Sequence, residues 1–295
     1  MTSENGLRRA LAEGRTLWAA GAYDALTAKL AEQAGFPALM TTGFGVSASM
    51  LGAPDVELYT MTENRQVIRN VVAATTIPVI ADADTGYGNA LNAMRTVVEF
   101  EAAGVAGLIL EDQDAPKRCP AAAASIQILP LDESAAKIRA AVAARRDPAT
   151  VVIARTDAAT EEEAIARARA YVEAGADMVQ PISRCFTDFA GLRRLREAVG
   201  VPLSLQILGW LESDLEPAQI EEVAGLAVFP LTALMTATHA VRENLAQLAR
   251  TRSAKGLPHA MTGMADFKRL IGWEEAERLQ SEFLVRELKD FQLPD

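Results

Sequence analysis

Eight short apolar runs, each of strand length, are spaced along this chain with helical patterns between them. They are LWAA at 17–20, ALMTT at 38–42, VIADAD at 79–84, GLILED at 107–112, VVIARTD at 151–157, DMVQP at 177–181, LSLQI at 203–207 and LAVFP at 226–230. Most are continuously apolar rather than alternating, the pattern of parallel strands covered on both faces. The stretches between them, such as NALNAMRTVVEFEAA and EEEAIARARAYVEA, are rich in residues that lose little freedom on entering a helix. The joints repeat as well: AEQAGFPALM, FEAAGVAGLIL, YVEAGADMVQ and EEVAGLAVF all read as helix, Ala-Gly, then strand. Gly35, Gly104, Gly175 and Gly225 are placed where the residue after a helix adopts the left-handed conformation. Pro78 and Pro202 stand just before two of the strands.

Eight such βα units predict a (β/α)₈ TIM-type barrel rather than a doubly wound sheet. No low-complexity linker interrupts the chain, so residues 1–295 read as a single barrel domain. Leu231 to Thr251 reads as the helix after the last strand. Helical material continues over about 252–295, with Gly263 to Leu293 supplying one or two more helices. Apolar helix faces beyond a closed barrel need another surface, which points to a homo-oligomer.

The net charge of −10 removes the basic footprint that nucleic acid or an anionic membrane requires. It leaves room for a small anionic substrate, since a local arginine or a metal outweighs a distant negative surface. No run approaches the ~20 apolar residues that span a bilayer, and the N-terminal MTSENGLRRALAEG has charges but no apolar core of a secretory signal. Cys119 and Cys185 are far apart and do not form a disulfide framework, so a reducing, cytoplasmic setting is the simplest reading.

In a barrel of this kind the site forms where the strands end. The third run ends in Asp82-Ala83-Asp84, whose acids at i and i+2 share one face, and the fourth in Glu111-Asp112. The fifth ends in Arg155-Thr156-Asp157 and the second in Thr41-Thr42-Gly43-Phe44-Gly45. Small residues there expose backbone N–H groups to an anion. Asp82, Asp84 and Glu111 at one mouth repel unless neutralised, and a hard divalent ion with oxygen ligands, Mg²⁺ with Mn²⁺ as the alternative, removes the conflict. Arg155 is placed to hold a substrate carboxylate by two hydrogen bonds. Asp112, Asp114 and Asp157 read equally well as caps or loop acids.

TTGFGVSASMLGAPD, IADADTGYGNA, LEDQDAPKRC and IARTDA, in that order, resemble the isocitrate lyase/phosphoenolpyruvate mutase superfamily from about Tyr23 to Pro230. Within it the chain is most similar to the methylisocitrate lyase and carboxyphosphonoenolpyruvate mutase-like branch. The resemblance implies a barrel whose last helix is exchanged between subunits, usually in tetramers built as dimers of swapped dimers. It also implies Mg²⁺ and a small 2-oxo or 2-hydroxy acid, handled through an enolate. Thr42, Gly43 and Phe44 would then bind the substrate carboxylate with help from Arg155. Asp82 would ligate the metal directly, and Asp84 and Glu111 directly or through coordinated water. Asp55 of the GAPD loop matches a further active-site acid. Lys117-Arg118-Cys119 matches a gating loop whose cysteine is the proton donor in the lyases. A thiol next to Lys117 and Arg118 is expected to have its pKa pulled below the reference ~8.5.

The departures from that family narrow the substrate. Cys119 is followed by Pro120 and Ala121 where the lyases continue with glycine and histidine, and the two histidines, His239 and His259, lie in or after the post-barrel helices. Ile182 stands where an acid is expected after the proline of the sixth strand, and Gln206 where an asparagine is expected on the seventh. These changes favour a smaller or more apolar acid than isocitrate or 2-methylisocitrate. The expectation is a Mg²⁺-dependent carbon–carbon lyase. Decarboxylation of oxaloacetate, P–C bond chemistry and a metal-retaining binding protein without turnover are the alternatives.

Overall fold

The computed structural model describes residues 6–119 and 126–284. The expectations for Pro120 and Ala121, and for helix beyond residue 284, lie outside the described residues. Eight strands form a closed parallel barrel in sequence order: β1 (Leu17–Ala22), β2 (Ala38–Thr41), β3 (Val79–Asp82), β4 (Gly107–Glu111), β5 (Val151–Thr156), β6 (Met178–Pro181), β7 (Leu203–Gln206) and β8 (Ala224–Phe229). The barrel closes where β8 pairs with β1, Phe229 lying opposite Ala20. All eight apolar runs are strands, as the continuous-run pattern predicts.

The helices are α1 (Gly6–Ala12), α2 (Ala25–Gln33), α3 (Gly43–Val46), α4 (Met61–Ala74), α5 (Ala90–Ala103), α6 (Leu131–Ala144) and α7 (Glu161–Glu173). They continue with α8 (Phe189–Val199), α9 (Trp210–Ser213), α10 (Pro217–Val223), α11 (Thr232–Thr251), α12 (Met264–Leu270) and α13 (Trp273–Phe283). The barrel interior is filled by side chains from the strands, among them Met40, Ile80, Ile109, Ile153 and Val228, and Leu7 and Ala10 of α1 join that cluster. Separate apolar clusters fill the layer between strands and surrounding helices. Burial on both faces is why the strands read as unbroken apolar runs.

Gly35, Gly104 and Gly175 take the expected positive φ after their helices. Gly225 does not. It lies inside β8, because α10 runs directly into the strand at Ala224. Its small size serves packing instead: a Cβ there would meet the Leu11 side chain at 2.5 Å and Pro202 at 3.0 Å.

Two compact units divide the described residues, one ending at Ala237 and the other beginning at Thr238. In the second, α12 and α13 bury no residue, and Met264 and Phe283 are about two-thirds exposed. No helix among the described residues is long and apolar enough to cross a membrane.

Candidate active site

The strand ends surround a cavity of about 470 Å³ whose lining includes Thr42, Phe44, Asp55, Asp82, Cys119 and Arg155. The lining also includes the apolar Ile182, Leu208, Leu231 and Met235, the amides Gln180 and Gln206, and a second cation, Arg184. The lining therefore combines charged and apolar side chains.

The charged part of the lining is built backward from Asp82. Its Oδ2 accepts the Gly43 N–H at 3.0 Å and its Oδ1 accepts the Asp84 N–H at 3.2 Å, so the carboxylate is oriented by backbone donors from β2's end and its own loop. Gly43 is needed for that approach, since a Cβ would stand 2.7 Å from the Tyr59 hydroxyl and 2.9 Å from Asp82 Oδ2. Burial, reinforced by the Asp84 charge, pushes the Asp82 carboxyl up to about 6. The Gly43 N–H is thus directed at Asp82 in this arrangement.

Asp84 sits behind it at φ +49, a left-handed conformation that aspartate adopts more readily than most residues. Both of its oxygens are engaged. Oδ2 accepts the hydroxyls of Tyr59 at 2.7 Å and Tyr87 at 2.9 Å, and Oδ1 pairs with the Lys117 ammonium. Asn64 secures this arrangement by donating to the Tyr87 hydroxyl at 2.7 Å and to the Asp82 carbonyl at 2.9 Å. The DTGYG stretch ends where Asn89 caps α5 through the N–H groups of Leu91 and Asn92.

Lys117 is almost fully buried and also lies 3.0 Å from Asp55 Oδ1. Its main-chain N–H donates to Glu57 at 3.1 Å, so both ends of the residue are held by acids of the segment before α4. Burial pushes the Asp55 carboxyl up, with Lys117 opposing. The Lys117 ammonium is therefore committed to Asp55 and Asp84. Arg118 is fixed by its N–H, which donates to Gln113 Oε1 at 2.8 Å. Gln113 bridges Ile128, and Leu129 N–H donates to the Asp112 carbonyl at 2.9 Å.

Glu111 is buried on β4, with Oε2 2.9 Å from Arg155 Nη1, while Oε1 has no hydrogen-bond partner among the described residues. Burial outweighs the Arg155 and Lys117 charges and raises its carboxyl to about 8. Arg155 forks between Glu111 and Asp157, whose Oδ1 accepts from Nη2 at 2.8 Å. Arg155 also lines the cavity.

Asp112 is a structural acid. It accepts the Asp157 N–H at 2.9 Å and the Tyr171 hydroxyl at 2.6 Å, and pairs with Arg167 at 3.3 Å, joining β4, β5 and α7. Cys185 donates its thiol to the Ile182 carbonyl at 3.0 Å, and burial pushes it up to about 12, which suits an unreactive role.

Several residues here are not singled out by the sequence patterns. Tyr59 reaches Asp84 across 25 positions. Lys137, on the buried face of α6, donates to the carbonyls of Thr85 and Glu111 at 2.9 Å each, and burial pulls its ammonium below the ordinary lysine range. A lysine among the alanines of LDESAAKIRAAVAA was the available clue. Gln180 accepts from Ser204 at 2.8 Å and from Gln206 at 3.1 Å, which fixes both amides in the cavity lining.

A family-wide sequence profile, Phosphoenolpyruvate phosphomutase, matches residues 7–253. The chain belongs to that family. Among its relatives, 2,3-dimethylmalate lyase of Eubacterium barkeri is 37% identical over 96% of this chain and 99% of that protein. An oxaloacetate decarboxylase of Chromohalobacter salexigens is 40% identical over 70% of this chain and 71% of its own length. The structure of phosphonopyruvate hydrolase in complex with oxalate and Mg²⁺ superposes with a TM-score of 0.86 at 34% identity, covering 96% of this chain and 100% of that one. Phosphomutase-family relatives therefore include different bond-breaking reactions on small acids, and the cavity has to discriminate among them.

Proposed function

We propose that this protein is a Mg²⁺-dependent lyase that cleaves a carbon–carbon bond of a small alkyl-substituted 2-hydroxy diacid, of malate type, through an enolate. One observation carries the reading: Asp82 and Arg155 line a cavity to which Ile182, Leu208, Leu231 and Met235 add apolar surface, with Arg184 as a second cation. The cations hold the carboxylates of a diacid, and the apolar lining is complementary to alkyl substituents.

The donor set fits a hard divalent ion. All the donors are carboxylate oxygens, and Glu111 Oε1 is buried with no hydrogen-bond partner among the described residues, a costly state for a carboxylate that a cation relieves. Asp82 would ligate directly, with Glu111 completing the set. Asp84, whose oxygens serve Tyr59, Tyr87 and Lys117, fits contact through water. When bound, Mg²⁺ supplies positive charge that stabilises an enolate oxygen.

The chain's own groups account for the remaining roles. Arg155, pre-oriented by Glu111 and Asp157, would hold the substrate carboxylate, with Thr42 and Phe44 also in the cavity lining and Gly43 between them in the chain. Asp55 faces the cavity with its carboxyl raised by burial, which suits it to take the 2-hydroxyl proton, and Lys117 returns positive charge to it. Cys119, nine-tenths buried on the cavity lining, is placed to protonate the departing carbanion. Arg118 precedes Cys119 in the chain and adds positive charge to that segment.

The free thiols Cys119 and Cys185 support a cytoplasmic setting. The exposed apolar residues of α12 and α13 support a homo-oligomer, a dimer of helix-swapped dimers. Incubation with Mg²⁺ and a panel of alkyl malates, citrates and 2-oxo acids, read by product identification, tests the assignment. Pyruvate or another 2-oxo acid from an alkyl malate is the expected result. Release of CO₂ from oxaloacetate alone would replace the lyase reading with a decarboxylase, as in the C. salexigens relative.

A further inference from the structure

The chain has two histidines, and both sit with one acid on the helical extension after the barrel. His239 and Glu243 are i and i+4 on α11 and share a face. His259 arrives from the segment after the helix, which is fastened to that same face. Asn244 accepts the His259 N–H at 3.0 Å and donates to the His259 carbonyl at 2.9 Å, a double clasp on one residue. Gln247, one turn further along, donates to the carbonyls of Gly256 at 2.7 Å and Lys255 at 3.2 Å.

That fastening delivers the His259 ring onto the acid. His259 Nε2 lies 2.7 Å from Glu243 Oε2, and His239 Nε2 lies 3.6 Å from Glu243 Oε1. The two rings meet edge to face, 5.3 Å between centroids. One ligand atom from each residue falls within 4.8 Å of the other two. Zinc bonds of about 2.0–2.2 Å place neighbouring donors roughly 3.0–3.5 Å apart, so shifts below an ångström bring all three to bonding distance. The three side chains remain partly open to solvent, which leaves positions for water.

We propose that His239, Glu243 and His259 form a binding site for a divalent transition-metal ion of the zinc class. Two imidazoles and one carboxylate select such ions over Mg²⁺, whereas the barrel's all-carboxylate set has the opposite preference. Asn244 is a positioning residue that holds His259 in place. A bound ion would tie the returning segment to α11 and close the loop between residues 239 and 259.

The full-length protein, stripped with chelator and saturated with Mg²⁺ to fill the barrel acids, is titrated with Zn²⁺ alone. One Zn²⁺ per chain is expected, with affinity lowered on the order of 100-fold by His239→Ala or His259→Ala and about 10-fold by Asn244→Ala. Asp82→Ala in the barrel should leave this uptake unchanged. Co²⁺ in place of Zn²⁺ should give a visible absorption band that is lost in His259→Ala. Circular dichroism of each variant checks that it is folded. The proposal is overturned if the protein takes up no Zn²⁺ beyond its Mg²⁺. Equal uptake by wild type and the His239→Ala/His259→Ala variant also overturns it, as does uptake abolished by Asp82→Ala, which would place the ion in the barrel.

Discussion

The ammonium of Lys117 lies 3.0 Å from the carboxylate of Asp55, and both are buried between the segment before α4 and the segment after β4. The same ammonium pairs with Asp84, so one cation serves two acids contributed by different strand ends. Removing it leaves both uncompensated. Lys117→Met is expected to lower stability by about 3–5 kcal/mol, the range for breaking a buried pair. Urea unfolding measures it. Adding Asp55→Asn should cost less than the sum of the two single changes. A Lys117→Met loss within about 0.5 kcal/mol would show that the acids do not depend on it.

The pH response of the metal-free protein follows from Asp82 and Glu111. Burial raises these carboxyls to about 6 and about 8, so the folded state binds protons more tightly than the unfolded chain. Their contribution to stability is complete below the unfolded values near 4 and is lost as pH rises through 6 and then 8. In chelator, the Tm should fall between about pH 5 and pH 8, and Glu111→Gln should flatten the upper part of that decline. Mg²⁺ should stabilise more at the alkaline end, because its ligands must be ionised. Parallel wild-type and Glu111→Gln curves would contradict this account.

Cys119 separates the two chemistries that the cavity could support. If its thiol protonates a carbanion, Cys119→Ala should lower carbon–carbon cleavage roughly 10²–10⁴-fold. Release of CO₂ from oxaloacetate, which needs only enolate stabilisation, should change little in the same variant. Product-resolved kinetics on both substrates make the comparison. Unchanged cleavage would remove Cys119 from the mechanism.

Gly43→Ala tests how closely the backbone must approach the acids. The added methyl would stand 2.7 Å from the Tyr59 hydroxyl and 2.9 Å from Asp82 Oδ2, both of which orient the proposed ligand set. Mg²⁺ affinity should drop about 10–100-fold, the usual cost of disturbing groups behind a metal site, with the barrel still folded. Calorimetric titration of wild type and variant would reveal it, and equal affinities would mean that the loop yields without displacing Asp82.

Sequence alone determined the barrel, because each strand buried on both faces leaves an uninterrupted apolar run, and eight of them were legible. It also located Asp82, Asp84, Glu111 and Arg155, since polar residues that end such runs must stand at the barrel's mouth. The role of Gly225 was not readable: left-handed turn and close packing both call for glycine, and only the direct passage of α10 into β8 decided between them. Nor was the division of labour among the acids. Tyr59, Asn64, Lys117 and Lys137 are distant in sequence from the groups they hold, and partnerships of that kind exist only once the chain has closed. Tertiary structure thus made Asp112 a brace, engaged Asp84 on both oxygens and left Glu111 with a buried unpartnered one. Burial and partner geometry, which no local pattern encodes, drew those distinctions.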